Sequence, residues 1–242
     1  LPENQSDETY TFGNKKYAYR VLMGDPLGSF YGYRYKGVYQ NVEETYAVDK
    51  TGQQIMDING APVVVKNGDQ KVYPGDAKYE DVNGDGVIDE NDIVYLGNSN
   101  PTLTGGLNFT LRYKKLSLVA ALHGRAGQKV INESRINMEN MYGKNNQSVA
   151  VLRRWRSEGD NTDIPRALYD KGYNYLGSDR FVEDASFLRL KTITLKYQFP
   201  ENWMKPLGIN KLEIYATGYD LFVWTKYTGQ DPEINLKNPD GS

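Results

Sequence analysis

Between Leu107 and His123 apolar and polar side chains alternate with a regularity that few folds accommodate. Leu107, Phe109, Leu111 and Tyr113 are interleaved with Asn108, Thr110 and Arg112. After Lys114 and Lys115 the pattern resumes, with Leu116, Leu118, Ala120 and Leu122 set against Ser117, Val119, Ala121 and His123. A period of two places successive side chains on opposite faces of a strand. With Lys114-Lys115 as a two-residue turn, Tyr113 lies opposite Leu116, Leu111 opposite Leu118 and Phe109 opposite Ala120. The apolar residues then share one face, and Asn108, Thr110 and Arg112 share the other. The tip lacks the Asn-Gly or Asp-Gly pair that would fix the turn type, so a slightly longer loop stays open. Each arm holds about 9–11 residues, the length a tilted strand needs to cross a bilayer, whereas strands of soluble proteins usually run to about 5–6.

A second hairpin is expected from Phe187 to Phe222. Ile193, Leu195, Tyr197 and Phe199 alternate with Thr192, Thr194, Lys196 and Gln198; residues 200–210 connect; Leu212, Ile214 and Ala216 resume the pattern. Leu188 and Leu190 sit on the opposite parity, which would turn Lys191 to the apolar side. A cation near a bilayer midplane costs about 2–4 kcal/mol, and one extra residue in the strand would restore the parity, so a β-bulge is predicted near Lys191. Tyr10 to Met23 is a weaker strand candidate, with Tyr17, Tyr19 and Val21 on one face. Short and very long connections alternate, the long ones being 24–102 and 125–186, as in membrane barrels with short turns at one end and long loops at the other. The fold class expected is all-β: long antiparallel strands forming part of a large transmembrane barrel. About five strands cannot close one, and an open edge in lipid leaves backbone groups unsatisfied. The chain therefore needs the remainder of its own barrel and the surrounding lipid. Its Leu1 start and its Asn-Pro-Asp-Gly-Ser end are expected to be cuts within a longer exported chain.

Composition closes other routes. Lys and Arg number 29 and Asp and Glu 31, which removes the electrostatic case for nucleic acid. There is no cysteine and one histidine, His123, so thiolate chemistry is excluded and His-based metal or triad chemistry is disfavoured. No apolar run is long enough for a transmembrane helix. Twenty of 242 residues are tyrosine, a residue suited to strands and to membrane interfaces. No carboxylate pair is placed for acid–base work, no catalytic residue is assigned, and no enzyme activity is expected. Ser148 to Ser157 has a helical look, and Trp155 within it is either a packing anchor or a ligand-stacking ring.

One motif is chemically sharp. Asp81 to Asp92 reads DVNGDGVIDEND, with Asp81, Asn83 and Asp85 at positions 1, 3 and 5 of a calcium loop and Gly86 at the turn. Val87 offers a carbonyl at position 7, Asp89 stands at 9 and Asp92 at 12, while Ile88 points away from the ion. A hard cation wants about six to eight oxygens, and this window supplies them at alternate positions. Asp in place of Glu at position 12 predicts weak binding, on the order of 10⁻⁴–10⁻³ M. The calcium would be structural, stiffening the long loop. An Asx-rich turn without metal is the plain alternative.

Several stretches, in order, resemble the C-terminal part of the SusC/RagA family of TonB-linked outer-membrane proteins. They are Gly24 to Tyr33 with Gly37-Val-Tyr39, Pro74 to Asp89, Leu96-Gly97 with Pro101 and Gly105-Gly106, Glu183 to Lys191, and Leu221 to Gly229 with Asp231-Pro-Glu233. The acidic stretch alone would also suit a dockerin module; the ordered set would not. The resemblance implies a plugged barrel of about 22 strands in the outer membrane of a Gram-negative bacterium, importing large nutrients, glycans or peptides. It implies a SusD-like surface lipoprotein as a lid and the TonB complex as energy source. Plug, TonB-contacting segment and final strand are not expected within residues 1–242. The loops 24–102 and 125–186 would be extracellular, and Asn108, Thr110, Arg112, Thr194 and Lys196 would face the lumen. Substrate-binding residues are not assigned. Two other readings compete: a secreted calcium-binding β-rich docking module, which would carry a doubled calcium motif, and a soluble carbohydrate-active enzyme, which would need a convergent carboxylate pair. Either would bury Phe109, Leu111, Leu118 and Leu195 under a second layer.

Overall fold

The computed structural model describes residues 4–12, 15–21, 24–26 and 28–233; for 4–21 it describes the backbone alone. The chain divides into two compact units, residues 1–99 with 130–183 and residues 100–129 with 184–242.

The first unit opens with a hairpin, β1 (Asn4–Phe12) paired antiparallel with β2 (Lys15–Val21). The single strand expected over Tyr10 to Met23 is thus two strands; the expected face of Tyr17, Tyr19 and Val21 lies outside the described side chains. Seven short strands follow: β3 (Ser29–Gly32), β4 (Tyr35–Val38), β5 (Lys66–Asn67), β6 (Gln70–Lys71), β7 (Ala77–Tyr79), β8 (Val87–Ile88) and β9 (Val94–Asn98). They pair as β3 with β9, β4 with β7, and β6-β5-β8.

These strands carry a buried cluster that includes Tyr33, Tyr39, Val72, Tyr79 and Ile88 from the first segment and Ile136, Leu176 and Phe181 from the second. The two long connections are therefore not independent loops: they fold on each other, and their apolar residues are spent on a shared core. Tyr33 N–H donates to Gly177 O at 2.9 Å, and Asp179 N–H donates back to Tyr33 O at 3.1 Å. A Cβ on Gly32 would stand 2.5 Å from Gly177 O, so the approach of these backbones requires glycine.

One fully buried polar node is Asp76, 0% exposed. Its carboxylate accepts from Arg166 Nε at 2.7 Å and Nη2 at 3.2 Å, from Asn174 Nδ2 at 3.2 Å and from Tyr73 N–H at 2.9 Å. A buried carboxylate is tolerated only when paired and hydrogen-bonded in this way. Trp155, in the second segment, lies over Gly75, whose φ of 88° and close ring contact leave no room for a side chain. Trp155 is thus a packing anchor, and it follows a short 3₁₀ turn, Val149–Arg153, where a helix was expected. The helix α1 (Glu133–Glu139), capped by Asn132, had no clear sequence signal.

The second unit is a four-stranded antiparallel meander in chain order. Its strands are β10 (Leu103–Tyr113), β11 (Leu116–Ala126), β14 (Phe187–Gln198) and β15 (Glu213–Thr225), with the short pair β12 (Lys129–Ile131) and β13 (Val182–Asp184) intervening in sequence. The strands run 11, 11, 12 and 13 residues. The first hairpin has the expected register, Tyr113↔Leu116, Leu111↔Leu118 and Phe109↔Ala120. Its two-residue tip is turned by Lys114 at φ 53°. The connection from β14 to β15 contains a short helix α2 (Glu201–Met204) and ends its helical turn at Gly208. The two short connections lie at one end of the sheet. The starts of β10 and β14 and the ends of β11 and β15 lie at the other.

Candidate functional site

Register across the meander fixes two chemically distinct faces. One carries the cross-strand rows Leu111–Leu118–Leu195–Ala216, Phe109–Ala120–Ile193–Gly218 and Leu107–Leu122–Leu190–Phe222. Within these rows Leu107 (60% exposed), Leu111 (61%), Leu195 (48%) and Phe222 (59%) are open, Phe109, Leu118, Leu122, Leu190 and Ile193 are half-buried, and Ala120 is covered by its neighbours. Within this unit no second layer covers them. The opposite face carries Asn108, Thr110, Arg112, His123, Arg125, Arg189, Thr194 and Lys196, as the strand period dictates. Thr194 and Thr217 hydroxyls meet across it at 3.0 Å.

The parity conflict at Lys191 is resolved as the sequence predicts. Against β11 the register slips between Leu190 and Thr192, leaving Lys191 as the extra residue and returning Leu188 and Leu190 to the apolar face. The facing strand β15 answers with an irregularity of its own, because Leu190 pairs with Phe222 while Thr192 pairs with Tyr219. There Asp220 adopts φ 47° and Leu221 packs onto the Gly218 position of the apolar face. Asp220 instead reaches Lys191 Nζ at 3.7 Å and Arg189 Nη1 at 3.8 Å. The paired distortions therefore deliver one cation and one anion to the polar face and keep both out of the apolar one.

That polar face holds a charge cluster to which sequence reasoning gave no role. Arg189, 7% exposed, meets Asp231 at 2.6 Å and Glu233 at 3.2 Å. His123, Arg125 and Lys191 also approach Glu233. Arg189 and Asp231-Pro-Glu233 lie in the stretches that carry the family resemblance, so their sequence signal was the motif itself; their meeting across 42 residues was not legible.

The acidic loop 81–92 belongs to the first unit. Its six expected ligand positions stand in one tight turn, and Ile88 points into the core, 1% exposed. The carboxylates, however, are engaged by the loop's own backbone. Asp81 accepts from Gly84 and Gly86 N–H at 2.6 and 2.7 Å, Asp85 from Val87 N–H at 2.8 Å, and Asp89 from Asn91 N–H at 2.8 Å. Asn83 Oδ1 accepts from Asp85 N–H at 3.1 Å. Asp92, fully buried, accepts from Val82 N–H at 2.7 Å and Asp89 N–H at 2.9 Å. Burial, with a smaller contribution from the Asp81 charge, pushes the Asp92 carboxyl above the usual aspartate range. The donor chemistry suits a hard cation, while the side-chain arrangement is that of successive Asx turns. Among the described residues no three His, Cys, Asp or Glu side chains gather closely enough to hold a metal.

Long strands with one open apolar face and one charged face define a wall segment of a transmembrane β-barrel. Comparison with known proteins gives that wall its class, the TonB-dependent receptors. No family model matches the sequence. TonB-dependent receptor P26 of Formosa agariphila is 34% identical over 230 residues, covering 94% of this chain and 21% of the relative. TonB-dependent receptor P3 of the same organism is 31% identical over 218 residues, covering 89% and 19%. TonB-dependent receptor SusC of Bacteroides thetaiotaomicron is 28% identical over 184 residues, covering 75% and 16%. Among solved structures, the RagAB peptide transporter superposes with a TM-score of 0.60 at 23% identity, over 90% of this chain and 23% of that one, and supports the fold. The chain belongs to the SusC/RagA type of TonB-dependent receptors, proteins of the Gram-negative outer membrane. It spans about a fifth of the length of the receptors P26 and P3.

Proposed function

We propose that this chain supplies part of the wall and rim of an outer-membrane barrel that imports glycans or peptides too large for porins. The observation that carries the reading is the four-strand meander with its apolar side chains open on one face and its charges collected on the other. In such a barrel the apolar face meets lipid and the charged face lines the lumen. The long-connection end is then extracellular, and residues 24–99 and 130–183 form a folded extracellular unit on which a SusD-like lipoprotein can close. Energy comes from the TonB complex through parts of the receptor beyond this segment. The soluble docking module and the soluble enzyme both require a layer over Phe109, Leu111, Leu118 and Leu195. Leu111 and Leu195 are open within their unit and Phe109 and Leu118 half-buried, and the openness of the first two favours the membrane.

We also propose that loop 81–92 binds calcium weakly and structurally. The support is its run of oxygen donors at alternate positions of one tight turn. The ion would bring further order to a turn that its own hydrogen bonds already close.

The transport reading is tested by deleting the intact receptor and following uptake of fluorescent oligosaccharides and oligopeptides. Loss of uptake of one class, restored by the wild-type gene but not in a TonB-deficient strain, is expected. Undiminished uptake of every size and class in the deletion strain would overturn it. Co-purification of a surface lipoprotein with the receptor tests the partner.

A further inference from the structure

Four basic side chains from two neighbouring strands converge on one carboxylate. His123 Nε2 and Arg125 Nη2 of β11 stand 3.6 and 3.9 Å from Glu233 Oε1. Arg189 Nε and Lys191 Nζ of β14 stand 3.2 and 3.6 Å from Glu233 Oε2. Lys191 reaches this place only because of the bulge, so the wall departs from regular strand geometry to concentrate positive charge there. Asp220 and Asp231 offset two of the three permanent cations, and Glu233 offsets the third. Without Glu233 the cradle carries one uncompensated positive charge on the polar wall.

Glu233 is not part of the wall. It arrives on the segment that follows β15, and it is the carboxylate that shows what the cradle accepts. We propose that this cradle is a binding site for polycarboxylate chains on the lumenal wall, with Glu233 as a tethered resident that such a chain displaces. The proposal rests on the reading of the charged face as a transport lumen. Tethering gives a group an effective concentration of about millimolar, so a single free carboxylate competes poorly. A chain that presents several carboxylates offers successive groups to Arg125 and Lys191, both partly exposed, and gains from each. Chains of this chemistry are uronate-rich glycans and acidic peptides; the cradle recognises the carboxylates they share.

The test is a binding titration on the complete receptor in detergent, with an oligogalacturonate, an oligoglutamate of similar length and a neutral maltooligosaccharide as probes. Glu233→Gln removes the resident charge and is expected to tighten binding of at least one acidic oligomer about tenfold, in a salt-sensitive manner, and to leave the neutral oligomer unchanged. The oligomer that gains identifies the cargo as sugar or peptide. Adding Arg125→Gln and Lys191→Gln, both partly exposed and dispensable to the buried Arg189 pairing, is expected to cancel the gain. Unchanged affinity for both acidic oligomers in Glu233→Gln, or an equal gain for the neutral one, would overturn the proposal. The titration needs no uptake, so its failure is distinguishable from failure of the import reading, which shows in the deletion strain.

Discussion

Placing a guanidinium on the apolar face should cost an amount that depends on height along the strand. Strand β10 has 11 residues. Ten steps of about 3.4 Å, inclined about 40° to the barrel axis, rise ~26 Å, close to the ~25 Å apolar band of outer-membrane barrels. The band's centre then falls at Asn108, between Leu107 and Phe109. Leu107 is 60% exposed within its unit, so its replacement leaves no buried cavity and the environment term dominates. Leu107→Arg is expected to cost about 2–4 kcal/mol, Leu103→Arg at the end of the band about 0–1 kcal/mol. Asn108→Arg, on the polar face, should cost little. For Leu107→Arg this is a roughly 30- to 700-fold fall in the folding equilibrium constant, measurable by reversible urea unfolding of the complete receptor in lipid vesicles. Equal costs at Leu103 and Leu107, or a cost at Asn108 matching that at Leu107, would refute both the facing and the depth.

Four further outcomes are expected. Arg166→Met leaves the Asp76 carboxylate buried without its main partner and should cost about 3 kcal/mol; hydrogen exchange should then rise together in residues 24–99 and 130–183. Gly75→Ala demands a positive φ of alanine and drives Cβ into the Trp155 ring, for a loss of about 1–3 kcal/mol and a change in tryptophan emission. Lys36 and Arg34 beside Glu80 hold its carboxyl below the usual glutamate range. Since the folded form binds its proton less tightly than the unfolded form, that contribution is present above the ordinary glutamate pKa and is lost as pH falls through the folded one; protease resistance of the first unit should decline in acid, and less so in Glu80→Gln. Calcium at millimolar concentration should slow proteolysis within residues 81–92, and Asp81→Asn with Asp85→Asn should abolish that protection; protection identical with chelator would refute calcium binding.

Local features of this chain were legible because strand period is local. The register of β10 with β11 and the bulge at Lys191 both follow from the alternation of apolar and polar residues within single strands. The matching distortion at Asp220 was not, since its even position continues the parity of Ala216 and Gly218 and only its backbone turn sends it to the polar face. The folding of residues 24–99 onto 130–183 depends on pairings such as Asp76 with Arg166 and Tyr33 with Gly177, separated by 90 residues or more, for which periodicity carries no signal. The acidic loop shows a different limit. A spacing of oxygen donors specifies what could bind, while the backbone N–H groups that engage Asp81 and Asp92 become visible only with the turn itself. Arg189 and Glu233 stood inside recognisable motifs, but their shared role required the sheet that brings the two motifs together.

Hydrocarbon contact of the apolar face is best measured with single nitroxide labels in vesicles. This segment has no cysteine; with any cysteine elsewhere in the receptor replaced, Leu107→Cys, Leu111→Cys, Asn108→Cys and Thr110→Cys direct labels to alternate faces of β10. Labels at 107 and 111 should relax readily with oxygen, which concentrates in lipid, and resist a water-soluble nickel complex; labels at 108 and 110 should show the reverse. Labels at 107 and 111 shielded from both reagents would place those side chains inside protein and contradict the barrel wall.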